Sequence, residues 1–427
     1  MWVYLAALLA LYFLRRWYRE RQTVGNLPDK HVFITGCGSG FGHLLAKQLD
    51  GRGLRVLAAC LTEQGAERLQ QETSGRLQTV ILDVTKSDSI HAATAWVMGQ
   101  ARDKEATVRM WLYLAALLVL YVLRRWYREQ QMVGNLPDKH VFITGCDSGF
   151  GHLLAKQLDG RGLRVLAACL TEQGAERLQQ ATSWRLQTVI LDVTCSDSIA
   201  AATAWVKGQV GDQGLWGLVN NAGVFGCVCH NEWLSKADFT RVLDVNLVGL
   251  IEVTLSLLPL VRRARGRIVN VTSIGGRLSV NGGGYCISKY GVEAFSDSLR
   301  RELHNFGVKV SIIEAGAFRT AMSTSQDILS SLEQVWSSAP AEVKEAYGEQ
   351  YFNRYSETTR KLIRILPSDN LRLATDAMEH ALTAQHPRTR YSCGWDAKLF
   401  YLPLSYLPTS WADLVLTCSQ PKPAQGI

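Results

Sequence analysis

Tyr285 and Lys289 stand four residues apart in Gly284-Tyr285-Cys286-Ile287-Ser288-Lys289. On a helix that spacing stacks two side chains on one face. A free phenol loses its proton near pH ~10. A fixed ammonium beside it favours the phenolate and lowers that pKa, and such a phenol can exchange a proton with an alcohol near neutral pH. The spacing alone also fits a solvated side-chain pair, so its meaning depends on residues upstream. Thr144 to Gly151 reads T-G-x-x-x-G-x-G. Glycine at 145, 149 and 151 removes Cβ where a pyrophosphate would approach backbone N–H groups at a helix start. Ser148 and Phe150 lie in the same turn and are expected at the cofactor with the glycines.

The elements that must position these residues follow in order. His140 to Gly145 reads as a buried strand and turn, Gly151 to Arg161 as a helix, and Leu163–Leu170 and Leu186–Leu191 as further strands. That is β-α-β-α-β, the pattern of an α/β, doubly wound parallel sheet of Rossmann-like type. Asp192, after the third strand, suits a hydrogen bond at an adenine and equally suits a helix cap ahead of Ser196. At the end of the second strand an acidic residue would grip a ribose 2′-OH and an Arg a 2′-phosphate. Cys169-Leu170-Thr171-Glu172 offers neither cleanly, and NAD is expected over NADP. Gly217 to Gly223 reads as a fourth strand ending in a small-residue turn, Asp244 to Leu247 as part of a long helix, and Arg267 to Ser273 as a fifth strand. Val308 to Ile313 reads as a sixth. Tyr285 follows Ser273 by twelve residues, and an open parallel sheet places its ligands at such strand ends.

Residues 1–100 return, with few changes, at 110–209; Gly38 becomes Asp147, Gly75 becomes Trp184 and Lys86 becomes Cys195. The first copy lacks everything downstream of the third strand, so it can hold only part of a fold. The simplest account is a tandem duplication of the front of one protein. The expected organisation is an apolar anchor at 1–23, a partial Rossmann repeat at 24–109, a second apolar anchor at 110–136, a dinucleotide-binding catalytic domain at 137–320 and a substrate cover with a membrane-associated tail at 321–427. The second copy is expected to bind the cofactor, because it joins directly to the rest and closes the shorter loop.

Trp2–Leu14 and Trp111–Leu123 are apolar runs followed by Arg-rich, Trp-Tyr-bearing segments. As helices, about 14 residues reach ~21 Å, short of the ~30 Å of a bilayer core. At most one is expected to span, with the other in the interface. Leu399–Leu416 is apolar but broken by Pro403 and Pro408, as a membrane-surface segment would be. The chain of 427 residues is 47% hydrophobic and 20% charged, with net charge +8. Its basic residues fall in short clusters rather than a stripe with interleaved aromatics, which argues against a nucleic-acid partner. The ten cysteines show no zinc-like spacing, and no metal is expected. Cys227 and Cys229 suit neither a metal knuckle nor a local disulfide, and reduced thiols acting as small apolar fillers are expected.

In this order, T-G-x-x-x-G-x-G at 144–151, N-N-A-G at 220–223, Asn246, Ser273 and Y-x-x-x-K at 285–289 resemble the short-chain dehydrogenase/reductase family over 137 to about 320. Asp147-Ser148-Gly149-Phe150-Gly151, Gly291 to Asp297, His386 to Tyr391 and Leu402 to Thr409 look like its branch of microsomal retinol dehydrogenases and 3α/17β-hydroxysteroid dehydrogenases. The resemblance implies Tyr285 as general acid/base and Lys289 lowering its pKa while holding the nicotinamide ribose. It implies Ser273 on the substrate oxygen and Asn246 holding a water in a proton relay. It places Asn220, Ala222, Gly223, Asp192 and Thr320 at the cofactor with the glycine turn. It implies NAD-dependent oxidation or reduction of a lipophilic alcohol, steroid or retinoid, at the endoplasmic reticulum membrane, by a chain that can form a homo-oligomer. The family usually has Pro-Gly after its sixth strand; Ala315-Gly316 stands here, loosening a turn at the nicotinamide. A catalytically weak lipid- and NAD-binding protein, compromised by the duplication, is the alternative. Aromatics at Trp336, Tyr347, Tyr351, Phe352 and Tyr355 would cover an apolar substrate.

Overall fold

The computed structural model describes residues 27–101, 104–280, 282–320, 325–418 and 420–426. The first apolar run, Trp2–Leu14, lies outside them. The chain divides into two compact units, Met1–Tyr121 and Val122–Ile427.

The larger unit is built on a seven-stranded parallel sheet. Its strands are β4 (His140–Thr144), β5 (Arg164–Cys169), β6 (Leu186–Ile190), β7 (Gly217–Asn220), β8 (Arg267–Ser273), β9 (Lys309–Ala315) and β10 (Arg390–Cys393). Their order is β10-β9-β8-β7-β4-β5-β6. Every residue of β4, β7 and β8 is buried, as expected when helices cover both faces of a parallel sheet. Successive residues of β4 feed opposite layers. Val141 and Ile143 pack with Leu154, Leu158, Met378 and Leu382, whereas Phe142 packs with Leu166, Leu218, Val253, Leu257 and Ile268. The order reverses between β4 and β7, which pair Val141 with Gly217 and Ile143 with Val219. The carboxyl ends of those strands therefore flank a crevice, where doubly wound sheets bind ligands.

The sequence reading gave six strands; β10 is the seventh. It is four residues long and buries alternate side chains, so it carries too little apolar pattern to read as a strand.

The smaller unit has β1 (His31–Thr35), β2 (Arg55–Cys60) and β3 (Gln78–Ile81) in one parallel sheet. Its registers match the second copy: His31 pairs with Arg55 as His140 does with Arg164. Among the described residues β1 pairs with β2 alone. Phe33 is 40% exposed where Phe142 is 1% exposed, and Leu45 44% where Leu154 is 0%. The strands β7–β10 all join the sheet built on β4, so the second copy completes the fold.

The second apolar run lies within a helix of 26 residues, Lys104–Glu129, not the 14 that its apolar core alone gives. Charged residues at both ends extend it, and at 1.5 Å per residue it reaches about 39 Å. Its apolar side chains from Tyr113 to Tyr127 are exposed. The helical stretch Lys236–Arg263 is long and apolar enough to cross a membrane. It buries Val242, Leu250, Val253, Leu257, Leu260 and Val261, however, which makes it a core helix of the sheet.

Candidate active site

The helix Gly284–Glu302 carries the phenol and the amine. It starts beside residues 239–242, and a Cβ at Gly284 would stand 3.0 Å from Phe239 O and from Val242 Cβ. Only glycine lets the helix start so close. The Tyr285 hydroxyl lies next to Ser273, the last residue of β8, whose Oγ accepts from Gly275 N at 3.1 Å. The Phe225 ring lies 4.6 Å from the Tyr285 ring. Lys289 is buried, its Nζ is 5.6 Å from the Tyr285 ring centroid, and it donates to Val271 O at 2.9 Å. Phenol, hydroxyl and amine thus meet at the carboxyl end of β8.

The electrostatics differ from the expectation that Lys289 lowers the Tyr285 pKa. Burial pushes Tyr285 up to about 12, with the Ser273 hydroxyl pulling against it. Burial pushes Lys289 down to about 8, opposed by the Glu293 carboxylate one turn on. The ammonium is turned to the Val271 carbonyl rather than to the phenol, so desolvation dominates both groups.

A pH signature follows. An unfolded lysine keeps its proton to about pH 10.4, whereas folded Lys289 loses it near 8. Between those values the unfolded chain binds the extra proton, so stability rises with pH. Tyr285 acts in the opposite sense between about pH 10 and 12, where the folded state keeps a proton that the unfolded state loses. The denaturation midpoint of the wild type, followed by tryptophan fluorescence, is expected to rise relative to Lys289→Met from about pH 8 to 10. A constant difference across that range would show that Lys289 is not desolvated.

Asn246 sits in a π-helical turn, Asp244–Gly249, inside the long helix. Its amide accepts from Val224 N at 2.8 Å and donates to Val224 O at 2.9 Å and Ser288 Oγ at 3.1 Å. The side chain ties the loop after β7 to the catalytic helix. Both ends of the amide are thus used to fix this loop, and the oxygen keeps one further acceptor site.

In the glycine turn, Gly145 has φ +71° and a Cβ there would reach Ala222 Cα at 2.8 Å; one on Gly151 would stand 2.3 Å from Gly145 O and 2.6 Å from Asn221 Nδ2. Gly149 has φ +62°, with only Thr320 nearby at 3.7 Å. Ser148 caps the helix Gly149–Gly160 without a side-chain bond to it, and the first N–H groups of a helix have no carbonyl partner within it. Phe150 packs edge-on against Phe318 at 5.3 Å. Ala222 lies against Gly145 and Thr320 against Gly149, and the Ala222 N–H donates to Thr144 Oγ1 at 3.0 Å; the first N–H groups of this helix are of the kind a pyrophosphate needs.

Asn220 does not face the crevice. Its amide is buried and donates to Thr254 Oγ1 and Asn270 Oδ1, both at 2.8 Å. Asn221, which sequence reasoning passed over, donates instead to Thr144 O at 2.9 Å and Gly145 O at 3.0 Å, closing the turn. The repeated asparagine in N-N-A-G was the available signal. Asp192 accepts from Thr194 N at 2.9 Å and Thr194 Oγ1 at 2.7 Å, so it closes a turn ahead of the helix Ser196–Val210, whose N-cap is Cys195 rather than the expected Asp192. Asn270, which opens the glycosylation sequon Asn270-Val271-Thr272, is fully buried and donates to Ser296, so it cannot be modified in the fold.

Asp147 was also unassigned. Its carboxylate accepts from Leu170 N at 2.8 Å, Thr171 N at 3.0 Å and Thr171 Oγ1 at 2.7 Å, which brings an acid to the end of β5 from the neighbouring loop. The first copy has Gly38 there and cannot make these bonds. Near Ala315, Asp396 accepts from Ala317 N at 2.7 Å, which restrains the turn where proline is missing.

Trp233, Trp336, Tyr351 and Phe352 pack with Leu332 and Val343 in a separate apolar cluster. Trp336 stacks on Phe352 at 4.9 Å. Beside it is a cavity of about 280 Å³, lined in part by His230, Asn231, Ser279, Gly282 and Tyr355.

A doubly wound parallel sheet with a hydroxyl, a phenol and an amine converging at its carboxyl edge defines an α/β oxidoreductase site. A profile of the short chain dehydrogenase family matches residues 30–104 and 139–328. The chain is 64% identical over 319 residues to human 17-beta-hydroxysteroid dehydrogenase type 6, a match spanning 74% of this chain and 100% of that protein. It is 63% identical to mouse retinol dehydrogenase 7 and 61% identical to human retinol dehydrogenase 16, each over 74% of this chain and 100% of the relative. The structure of a short-chain dehydrogenase from Streptomyces avermitilis superposes with TM-score 0.52 at 28% identity, covering 65% of this chain and 94% of that one. The chain belongs to the short-chain dehydrogenase/reductase family.

Proposed function

We propose that the protein oxidises or reduces a lipophilic alcohol or ketone, a 3α- or 17β-hydroxysteroid or retinol, with NAD. The observation that carries this reading is the convergence of Ser273, Tyr285 and Lys289 at the carboxyl end of β8, next to β7 and one strand from the order reversal. Two relatives named above bear retinol dehydrogenase names and one a hydroxysteroid dehydrogenase name, which supports both substrate classes. The nicotinamide, when bound, supplies the acceptor for hydride from the carbinol carbon. The protein supplies the rest. Ser273 fixes the substrate oxygen, and Tyr285 takes its proton. Lys289 and the glycine turn hold the dinucleotide, and Asn246 keeps the Val224 loop in place.

Asp147 favours NAD. A carboxylate at the end of β5 accepts from a ribose hydroxyl and repels a 2′-phosphate. Asp147→Gly is expected to raise kcat/KM with NADP relative to NAD by about tenfold or more. An unchanged ratio would make Asp147 a structural staple only. Exposed Leu399, Tyr406, Trp411 and Leu414 near the C-terminus support a face resting on a membrane, consistent with the endoplasmic reticulum and with an apolar substrate entering from lipid.

The direct test is NADH formation from androstanediol and from retinol by membranes carrying the protein. Turnover of at least one is expected. Binding of NAD and steroid without turnover would instead establish the weak binding protein.

A further inference from the structure

The cavity beside the catalytic helix is not simply greasy. Its walls come from the loop after β7, through Cys229, His230 and Asn231, from the loop after β8, through Ser279, Val280 and Gly282, and from Tyr355 and Gln420. Both loops leave the carboxyl edge of the sheet, where Tyr285 meets Ser273, and Gly282 is three residues before Tyr285. His230 is caged by rings: Trp233 and Tyr355 each at 4.9 Å and Tyr347 at 5.4 Å. Its Nε2 is hydrogen-bonded to Tyr351 OH at 2.7 Å, which fixes the ring plane. Nδ1 has no partner among the described residues. The Asn231 carbonyl oxygen, by contrast, is already engaged, accepting from Gly283 N at 2.8 Å. His230 Nδ1 is thus a polar atom oriented in an aromatic box and open to a ligand.

We infer that His230, held by Tyr351, reads a second oxygen at the far end of the substrate. The site therefore takes two-oxygen hydroxysteroids in preference to alcohols whose far end is hydrocarbon, such as retinol. Nδ1 suits either oxygen type. When Tyr351 OH donates to Nε2, Nδ1 carries the proton and donates to a ketone; in the other tautomer it accepts from a hydroxyl. A hydrocarbon end would bury this nitrogen unpaired, and sites built to hydrogen-bond a substrate group discriminate strongly against analogues lacking it. The inference rests on the oxidoreductase reading above and refines its substrate class.

The test compares androstanediol with its 17-deoxy analogue, and both with retinol, in the wild type, His230→Leu and Tyr351→Phe. The wild type is expected to favour androstanediol over the 17-deoxy steroid by at least about tenfold in kcat/KM. His230→Leu is expected to bring that ratio close to one while keeping turnover of the 17-deoxy steroid and of retinol, which also shows that the variant folds. Tyr351→Phe should fall between. A wild type blind to the second oxygen, or a His230→Leu variant that keeps the full ratio, overturns the inference. Affinities for the two steroids, read by tryptophan quenching, separate the two proposals. A tenfold preference in binding without any turnover would uphold His230 and sink the dehydrogenase reading.

Discussion

Replacing Tyr285 by phenylalanine is expected to lower kcat by about 10³-fold, within the range attributed to a positioned acid or base. The substitution removes one oxygen and leaves the ring. The Phe225 contact at 4.6 Å and the helix start packed against Val242 both survive, so the loss would not come from misfolding. Affinity for NADH, measured by its fluorescence, should change little, because the glycine turn is untouched. The measurement that matters is single-turnover oxidation of a bound alcohol. Turnover within about threefold of the wild type would mean that another group moves the proton, since a general base contributes at least ~10²-fold.

The second large effect separates the two copies. Gly151→Ala should weaken NAD binding by up to about 100-fold, since forcing an extra carbon into a packed site costs about 1–3 kcal/mol. The added Cβ would stand 2.3 Å from Gly145 O, so the turn cannot close as it does. Gly42→Ala creates almost the same collision, with Gly36 O at 2.4 Å, yet it should leave dehydrogenase activity unchanged. The chemistry of the two substitutions is alike; only the sheet they serve differs. The strands that carry Ser273 and its neighbours join β4, not β1. Isothermal titration with NAD on both variants decides the matter, and equal losses would assign the cofactor to the first copy as well.

Much of this was legible in the residues. Six strands, the turn at 144–151 and the helix bearing Tyr285 and Lys289 follow from apolar runs, glycines and i,i+4 spacing, because each depends on local pattern. The seventh strand was not, since Arg390–Cys393 is held by Ile312–Ala315 rather than by its own pattern. Side-chain direction was also hidden. Asn220 and Asn221 are neighbours of one type, and only the strand's pleat decides that the first goes into the core and the second to the glycine turn. Asp147 lies in a loop 24 residues before Thr171, and the contact between them is made by tertiary folding alone. The Tyr285–Lys289 spacing was read correctly as placing the two on one helix, but not how far burial would outweigh their attraction.

Among the described residues β1 has one open margin, and this has a consequence for biosynthesis. The first copy leaves the ribosome before the second, with the same His-Val-Phe-Ile-Thr strand and nothing yet made to lie beside it. Nascent chains therefore display an unsatisfied parallel template for the whole time the remainder is translated, a state that invites mispairing and capture by quality control. Yield of the mature protein should accordingly be limited by kinetic partitioning rather than by how tightly the finished molecule holds together.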